Sequence, residues 1–201
     1  LDPSLNDGGD GSQGIVEDPA WEGPLFALFD AIRADPRASL FAVCHTFGVV
    51  CRWLGIADVV MRGPGKGGKS AGIVENVLTR GGREHPWFSQ FARMLPDGEH
   101  FRILDNRLYD LIPRGALPLG MTAIAHEARP DGAPGDALTM IEVAREATGT
   151  MPRMLAVNHH PEIVNRQRQV VVLQRKKARG PVNPEWFDER LRTLVQPMAD
   201  E

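Results

Sequence analysis

The sequence predicts an α/β domain with a mainly parallel sheet and helices on both faces. Three observations predict it. The first is a short, wholly apolar run, Leu40-Phe41-Ala42-Val43, that ends at Cys44 with a helix-patterned segment directly behind it. The second is a similar run, Met154-Leu155-Ala156-Val157, that leads into Asn158-His159-His160-Pro161-Glu162. The third is the alternation of such runs with amphipathic segments along the chain. Strands that are apolar throughout fit a sheet covered on both faces, the usual setting of parallel strands.

Residues 1–17 are rich in Gly, Asp and Ser and read as loop. Asp18-Pro19 is a helix start, and the helix runs to about Ala34 with Leu25, Leu28, Phe29 and Ile32 at i, i+3, i+4 and i+7. Asp35-Pro36 ends it. A second helix follows Cys44 and places Cys44, Phe47, Cys51 and Leu54 on one side, with Gly55 as its cap. Val59-Val60-Met61 reads as a short strand, residues 62–72 as a glycine-rich segment, and 73–78 as either a strand or a helical turn. Residues 80–100 read as loop around a short helix near Trp87 to Met94. Further strands are expected at 101–104, 121–125, 138–143 and 154–157, with turns at 128–137 and near Thr148-Gly149-Thr150. Val170 to Leu173 is apolar and a basic stretch follows it. Asn183-Pro184 opens a last amphipathic helix to about Leu194.

The 201 residues are read as one domain, residues 1–201, large enough for a substantial core. The opening Leu1-Asp2-Pro3 has no initiator Met and no signal peptide, so an N-terminal truncation is expected. A net charge of −3 gives no electrostatic case for nucleic acid or an anionic membrane surface. No apolar run approaches the roughly 20 residues that cross a bilayer. Cys44 and Cys51 lie two helical turns apart, too far for a disulfide, which points to a reducing compartment and a cytoplasmic protein. Two cysteines without a CxxC spacing make no zinc site, and neither a metal nor another cofactor is expected.

In open α/β sheets reactive groups collect at the carboxyl ends of the strands. Cys44 and His160 both fall at such ends. A cysteine on a tight strand-to-helix turn is exposed, and a helix N-terminus favours the thiolate. The amide of His45 is placed to hold an oxyanion. His160 would shuttle a proton and Glu162 would orient its ring, with Pro161 fixing the chain between them.

Together, and in this order, these segments resemble the class I glutamine amidotransferase family. That family carries its nucleophile in a Gly-hydrophobic-Cys-x-Gly-x-Gln elbow and ends its catalytic strand in hydrophobic-Gln-aromatic-His-Pro-Glu. The chain has Ala42-Val43-Cys44-His45-Thr46-Phe47-Gly48 and Val157-Asn158-His159-His160-Pro161-Glu162. Gly8-Gly9-Asp10-Gly11-Ser12 resembles the glycine loop that donates an oxyanion-hole amide, here from Gly9. The resemblance implies a flavodoxin-like fold lacking its first strand, and a Cys44-His160-Glu162 triad with an oxyanion hole at Gly9 and His45. It also implies a small amide substrate such as glutamine, and ammonia passed to a synthase partner. Either another chain or an N-terminal segment would complete the sheet. Thr46 stands where the family has a small Gly, and Gly48 where it has the Gln that helps to hold the substrate.

Two further readings stay open. The altered elbow fits a non-catalytic family member acting as a binding or regulatory module. Gly63-Pro64-Gly65-Lys66-Gly67-Gly68-Lys69-Ser70 matches the phosphate-loop pattern G-x-x-x-x-G-K-S, which would make the chain a nucleotide binder. The basic cluster from Arg166 to Arg179 reads as a solvated edge. Glu84-His85-Pro86-Trp87-Phe88 reads as a loop leading into a short helix. His100 and His126 are isolated and carry no assigned role.

Overall fold

A computed structural model describes residues 19–62, 70–162, 165–179 and 184–195. After a 3-10 turn at Pro19–Trp21, the elements in chain order are α1 (Glu22–Ala34), β1 (Leu40–Val43), α2 (His45–Leu54), β2 (Ala57–Met61), β3 (Ser70–Leu78), α3 (Arg80–Glu84) and α4 (Phe88–Met94). Then come β4 (His100–Arg107), β5 (Tyr109–Pro113), β6 (Thr122–Ala128), β7 (Pro134–Arg145), β8 (Pro152–Val157), α5 (Arg166–Arg179) and α6 (Pro184–Val195). Six strands form one sheet in the order β1-β8-β7-β6-β3-β4, and β2 pairs with β5 in a separate antiparallel ribbon.

The architecture is mixed α/β, but the sheet is not mainly parallel. Only β1 and β8 run parallel; the other four pairings of the six-stranded sheet are antiparallel. The reason lies in the connections. β6 to β7 and β7 to β8 are joined by short turns, at 129–133 and 146–151, and such hairpins force antiparallel pairing. The apolar runs report burial on two faces, not strand direction. β7 shows this: seven successive residues, Ala137–Val143, are buried.

Helices cover both faces. On one face α1 and α2 bring Phe29, Phe47, Val50 and Cys51 against Ala42, Met154, Ala156 and Ile141. On the other, α4 brings Phe88 and Ala92 against Val43, Leu155, Val157 and Met140. A third cluster seats α5 and α6, through Leu173, Phe187 and Leu194, on Ile73 and Leu104. Of the apolar stripe expected on α1, only Phe29 is fully buried, and Leu28 is 53% exposed.

β1 is held beside β8 from outside the ladder as well. The guanidinium of Arg153, on β8, donates to the carbonyls of Ile32, Arg33, Asp35 and Ala38 at 2.6–2.9 Å. These lie at the end of α1 and in the loop before β1, where helix carbonyls lose their intrahelical donors. One side chain thus caps a helix and fixes the entry into β1.

Arg62 and Arg107, both buried, are held in ion pairs. Arg62 contacts Asp110 and Glu127, both at 2.7 Å, and Arg107 contacts Asp105 at 2.6 Å, Asp110 at 3.2 Å and Glu127. This network ties the β2–β5 ribbon to β4 and β6. On the opposite face the buried His85 ring, Nε2 to Oε1, lies 3.0 Å from Glu142, which also receives Arg145 at 2.6 Å. Amides of Trp87 and Phe88 donate to His85 Nδ1, at 3.0 and 3.4 Å. His85 therefore carries its proton on Nε2 and pins the α3–α4 connection to β7.

Residues 73–78, which read as a strand or a helical turn, form a strand that already begins at Ser70; β5 is an additional strand, and residues 166–179 form a helix. α2 ends as expected, on Gly55 in the left-handed conformation with φ 65°.

Two glycines in helices should respond in opposite directions. A Cβ on Gly82 would lie 2.3 Å from the Ile124 carbonyl oxygen, so Gly82→Ala should cost about 2 kcal/mol or more. A Cβ on Gly48 meets only Leu111 Cδ2 at 4.0 Å, so Gly48→Ala should add about 0.5–1 kcal/mol. Urea unfolding midpoints measure both.

Candidate functional site

The site starts from the β1–β8 register. Val43 stands opposite Val157, so Cys44 and the 158–162 segment leave the sheet at the same end. The Cys44 N–H donates to the Val157 carbonyl at 2.7 Å, which extends the ladder by one bond. Cys44 then turns sharply, with φ 50° and ψ −104°, and its carbonyl accepts the Gly48 N–H at 3.2 Å to begin α2. It is the one non-glycine residue with positive φ among the described residues. A side chain held in that region costs about 1–3 kcal/mol, and such strain recurs where a group must be presented.

The segment beyond β8 is equally constrained. Asn158 N–H donates to Thr139 on β7 at 2.8 Å, and His160 N–H to Leu104 on β4 at 2.9 Å. The sheet curls enough for the chain just past β8 to reach its last strand. His160 Nδ1 lies 2.7 Å from Glu162 Oε1, which leaves Nε2 for the other side of the ring. The His160 side chain is 18% exposed and that of Glu162 55%.

Electrostatics separates the two adjacent histidines. Interaction with the Cys44 sulfur is the strongest influence on His160; it outweighs partial burial and, with the Glu162 carboxylate, raises the imidazole pKa to about 9. Burial opposes ionisation of Glu162, but the hydrogen bond and charge of His160 outweigh it and hold this carboxyl below the usual range. His159 goes the other way. Burial first, then the positive charges of Arg107 and His160, push it down to about 4, against a pull from Glu162. His159 is 2% exposed and packs edge-on against Phe101 with ring centroids 6.3 Å apart. Near neutral pH His160 is the charged member of the pair and His159 the neutral one.

The register thus brings the Cys44 turn and the His160–Glu162 pair to the same end of the sheet. His45 is the first residue of α2, the position expected of an oxyanion donor, and its ring lies 6.5 Å from that of Trp21. Gly9 lies outside the described residues, as does most of the phosphate-loop match, residues 63–69. Ser70, the last residue of that match, opens β3. A phosphate loop leads into a helix, so the strand counts against nucleotide binding there. Gly48 is buried and directed at Leu111, under α2. Cys51 is buried and free, and burial pushes its thiol up. No group of three His, Cys, Asp or Glu side chains suited to a metal occurs among the described residues, and no described helix is long and apolar enough to cross a membrane.

Leu104, Asp105 and Arg107 carry no clear signal in the sequence. β4 supplies the acceptor for the His160 backbone and the charge beside His159. The only hint is the Asp105-Asn106-Arg107 run behind an apolar strand, and a charged run there reads equally well as a strand end.

No family model matches the chain, and no curated protein matches it. Among solved structures, a candidate GMP synthase subunit from Thermoplasma acidophilum is 15% identical with a TM-score of 0.45, over 79% of this chain and 68% of that one. The protein SMU.1228c is 16% identical with a TM-score of 0.46, over 82% of this chain and 55% of that one. Both scores lie below 0.5, so the functional reading rests on this chain's own residues.

The His160–Cys44 contact makes a spectroscopic prediction. The His160 ring Cε1 resonance should titrate with a midpoint near pH 9 in the wild type. In Cys44→Ala the largest cause of the raised value is removed while Glu162 remains, and the midpoint should fall part-way toward the ordinary histidine value of about 6.5. An unchanged midpoint would mean that thiol and imidazole do not meet.

Proposed function

We propose that the chain is a cysteine hydrolase of the class I glutamine amidotransferase type. It would act on a small amide such as glutamine through a thioester. The observation that carries the reading is that Cys44, on its strained turn, leaves the sheet at the same end as His160, which is itself bonded to Glu162. A cysteine sulfur paired with an imidazolium, itself held by a carboxylate, is the arrangement nucleophilic acyl transfer needs.

In this reading Cys44 Sγ attacks the amide carbon. A C–S bond forms and the carbonyl oxygen becomes an oxyanion, held by the His45 amide and by Gly9. His160 gives its proton to the leaving nitrogen, the C–N bond breaks and ammonia departs. Water then attacks the thioester, His160 takes its proton, the C–S bond breaks, and the carboxylic acid leaves with the Cys44 sulfur as thiolate beside the His160 imidazolium. Glu162 keeps the His160 Nε2 aimed at sulfur by accepting from Nδ1–H. A synthase partner would receive the ammonia. Two free cysteines suit the cytoplasm as the place of action.

One observation favours a second reading, a non-catalytic binding or regulatory module. Gly48 offers no side chain to hold glutamine, and the position faces the core. Chemistry separates the two. If the hydrolase reading holds, ammonia release from glutamine or a simpler primary amide should drop by about 10³-fold or more in Cys44→Ala, and by less in Glu162→Gln. If the module reading holds, none of these variants changes a background rate, and iodoacetamide alkylates Cys44 no faster than an ordinary thiol at neutral pH.

A further inference from the structure

The six-stranded sheet has an opening in it. β3 pairs with β4 from Ser70 to Val77, but with β6 only through Asn76, Val77 and Leu78. Beyond Glu127 the β6–β7 hairpin leaves β3, whose first half loses that neighbour. α6 lies against the opening. The Thr193 hydroxyl accepts the Ile73 N–H at 3.2 Å, and Gly72 meets it so closely that a Cβ would come within 2.6 Å. Between the hairpin and α6 remains a cleft of about 710 Å³, within the size range of small-molecule sites. Cys44, His160 and Glu162 are not among its lining residues.

The cleft is built for charge. Arg62, 8% exposed, is fixed on its wall by Asp110 and Glu127. Arg190, from α6, also lines it and is not matched in this way. Its Nε is buried without a hydrogen-bond partner, and no carboxylate is in ion-pair range of it among the described residues. The rest of the guanidinium is only half-buried and lines the cleft, where its N–H groups can pair with an acceptor that enters. Ile73, Val74 and Ala137 supply apolar wall. Its exposed lining carries both signs, Asp136 and Glu189 beside Arg102 and Arg129, which leaves little net field to draw in a ligand carrying several negative charges.

We propose that this cleft is a second ligand site, separate from the Cys44 site, that takes a small molecule with one anionic group and an apolar body. The anionic group, carboxylate or phosphoryl, pairs with Arg190, and the body lies on Ile73 and Val74. The proposal does not depend on the hydrolase reading.

The test is titration of the 15N-labelled protein with hexanoate in one arm and butyl phosphate in the other, followed by amide shifts. At least one probe should bind with a Kd of about 1 mM or tighter and move the Gly72, Ile73 and Thr193 amides. Which probe binds identifies the group. Arg190→Gln should weaken binding about tenfold or more, Arg190→Lys by less, and Cys44→Ala should leave it unchanged. The amide shifts of the unsubstituted protein decide the question should the Arg190 variants fail to fold. The proposal is overturned if neither probe binds below about 10 mM. It is equally overturned if the shifts map away from β3 and α6, if folded Arg190→Gln binds equally well, or if Cys44→Ala abolishes binding.

Discussion

Everything at the Cys44 end of the molecule depends on one parallel strand pair. β1 is four residues long and, among the described residues, has one neighbour in the sheet, β8. A strand so short gains little from its own ladder. Its placement is secured by Arg153, which draws the end of α1 and the loop before β1 onto β8, and by Ala42 buried under α1 and α2. A slip of one residue would turn Ala42 and Val43 to the wrong faces. It would also carry Cys44 away from His160, because the Cys44 amide bonds directly to Val157.

The interior ion pairs serve geometry more than stability. Burying charges costs desolvation that their attraction repays only in part, and isosteric apolar replacements are often as stable. Their value here is directional. The Arg62–Asp110–Arg107–Asp105 network fastens a two-stranded ribbon to a sheet with which it shares no ladder. It also sets a positive charge near His159, and with burial this leaves His160 as the group that carries a proton near neutral pH. Two neighbouring residues of one type acquire different chemistry from the sides of the sheet they face.

What the sequence revealed followed from local rules. The apolar run ending at Cys44, the helix behind it capped by Gly55, and the strand delivering His160 and Glu162 are each written in fewer than about fifteen residues. Strand direction is not local. It depends on which segments meet, and the apolar run of β7 reads alike in a parallel or an antiparallel sheet. β5 escaped because its Tyr109-Asp110-Leu111 core includes a buried carboxylate whose partners, Arg62 and Arg107, come from other elements. α5 escaped because a run of three valines is a weak helix signal, although the Gln, Arg and Lys around it are good helix formers. Arg153 and His85 looked like ordinary polar residues, since their partners lie over fifty residues away.

The backbone at Cys44 carries a consequence for the history of the chain. Glycine would relieve the positive-φ turn, whose φ 50° and ψ −104° lie outside the region that side-chain-bearing residues adopt. A lineage that no longer used the sulfur would therefore gain stability by losing it at this one residue.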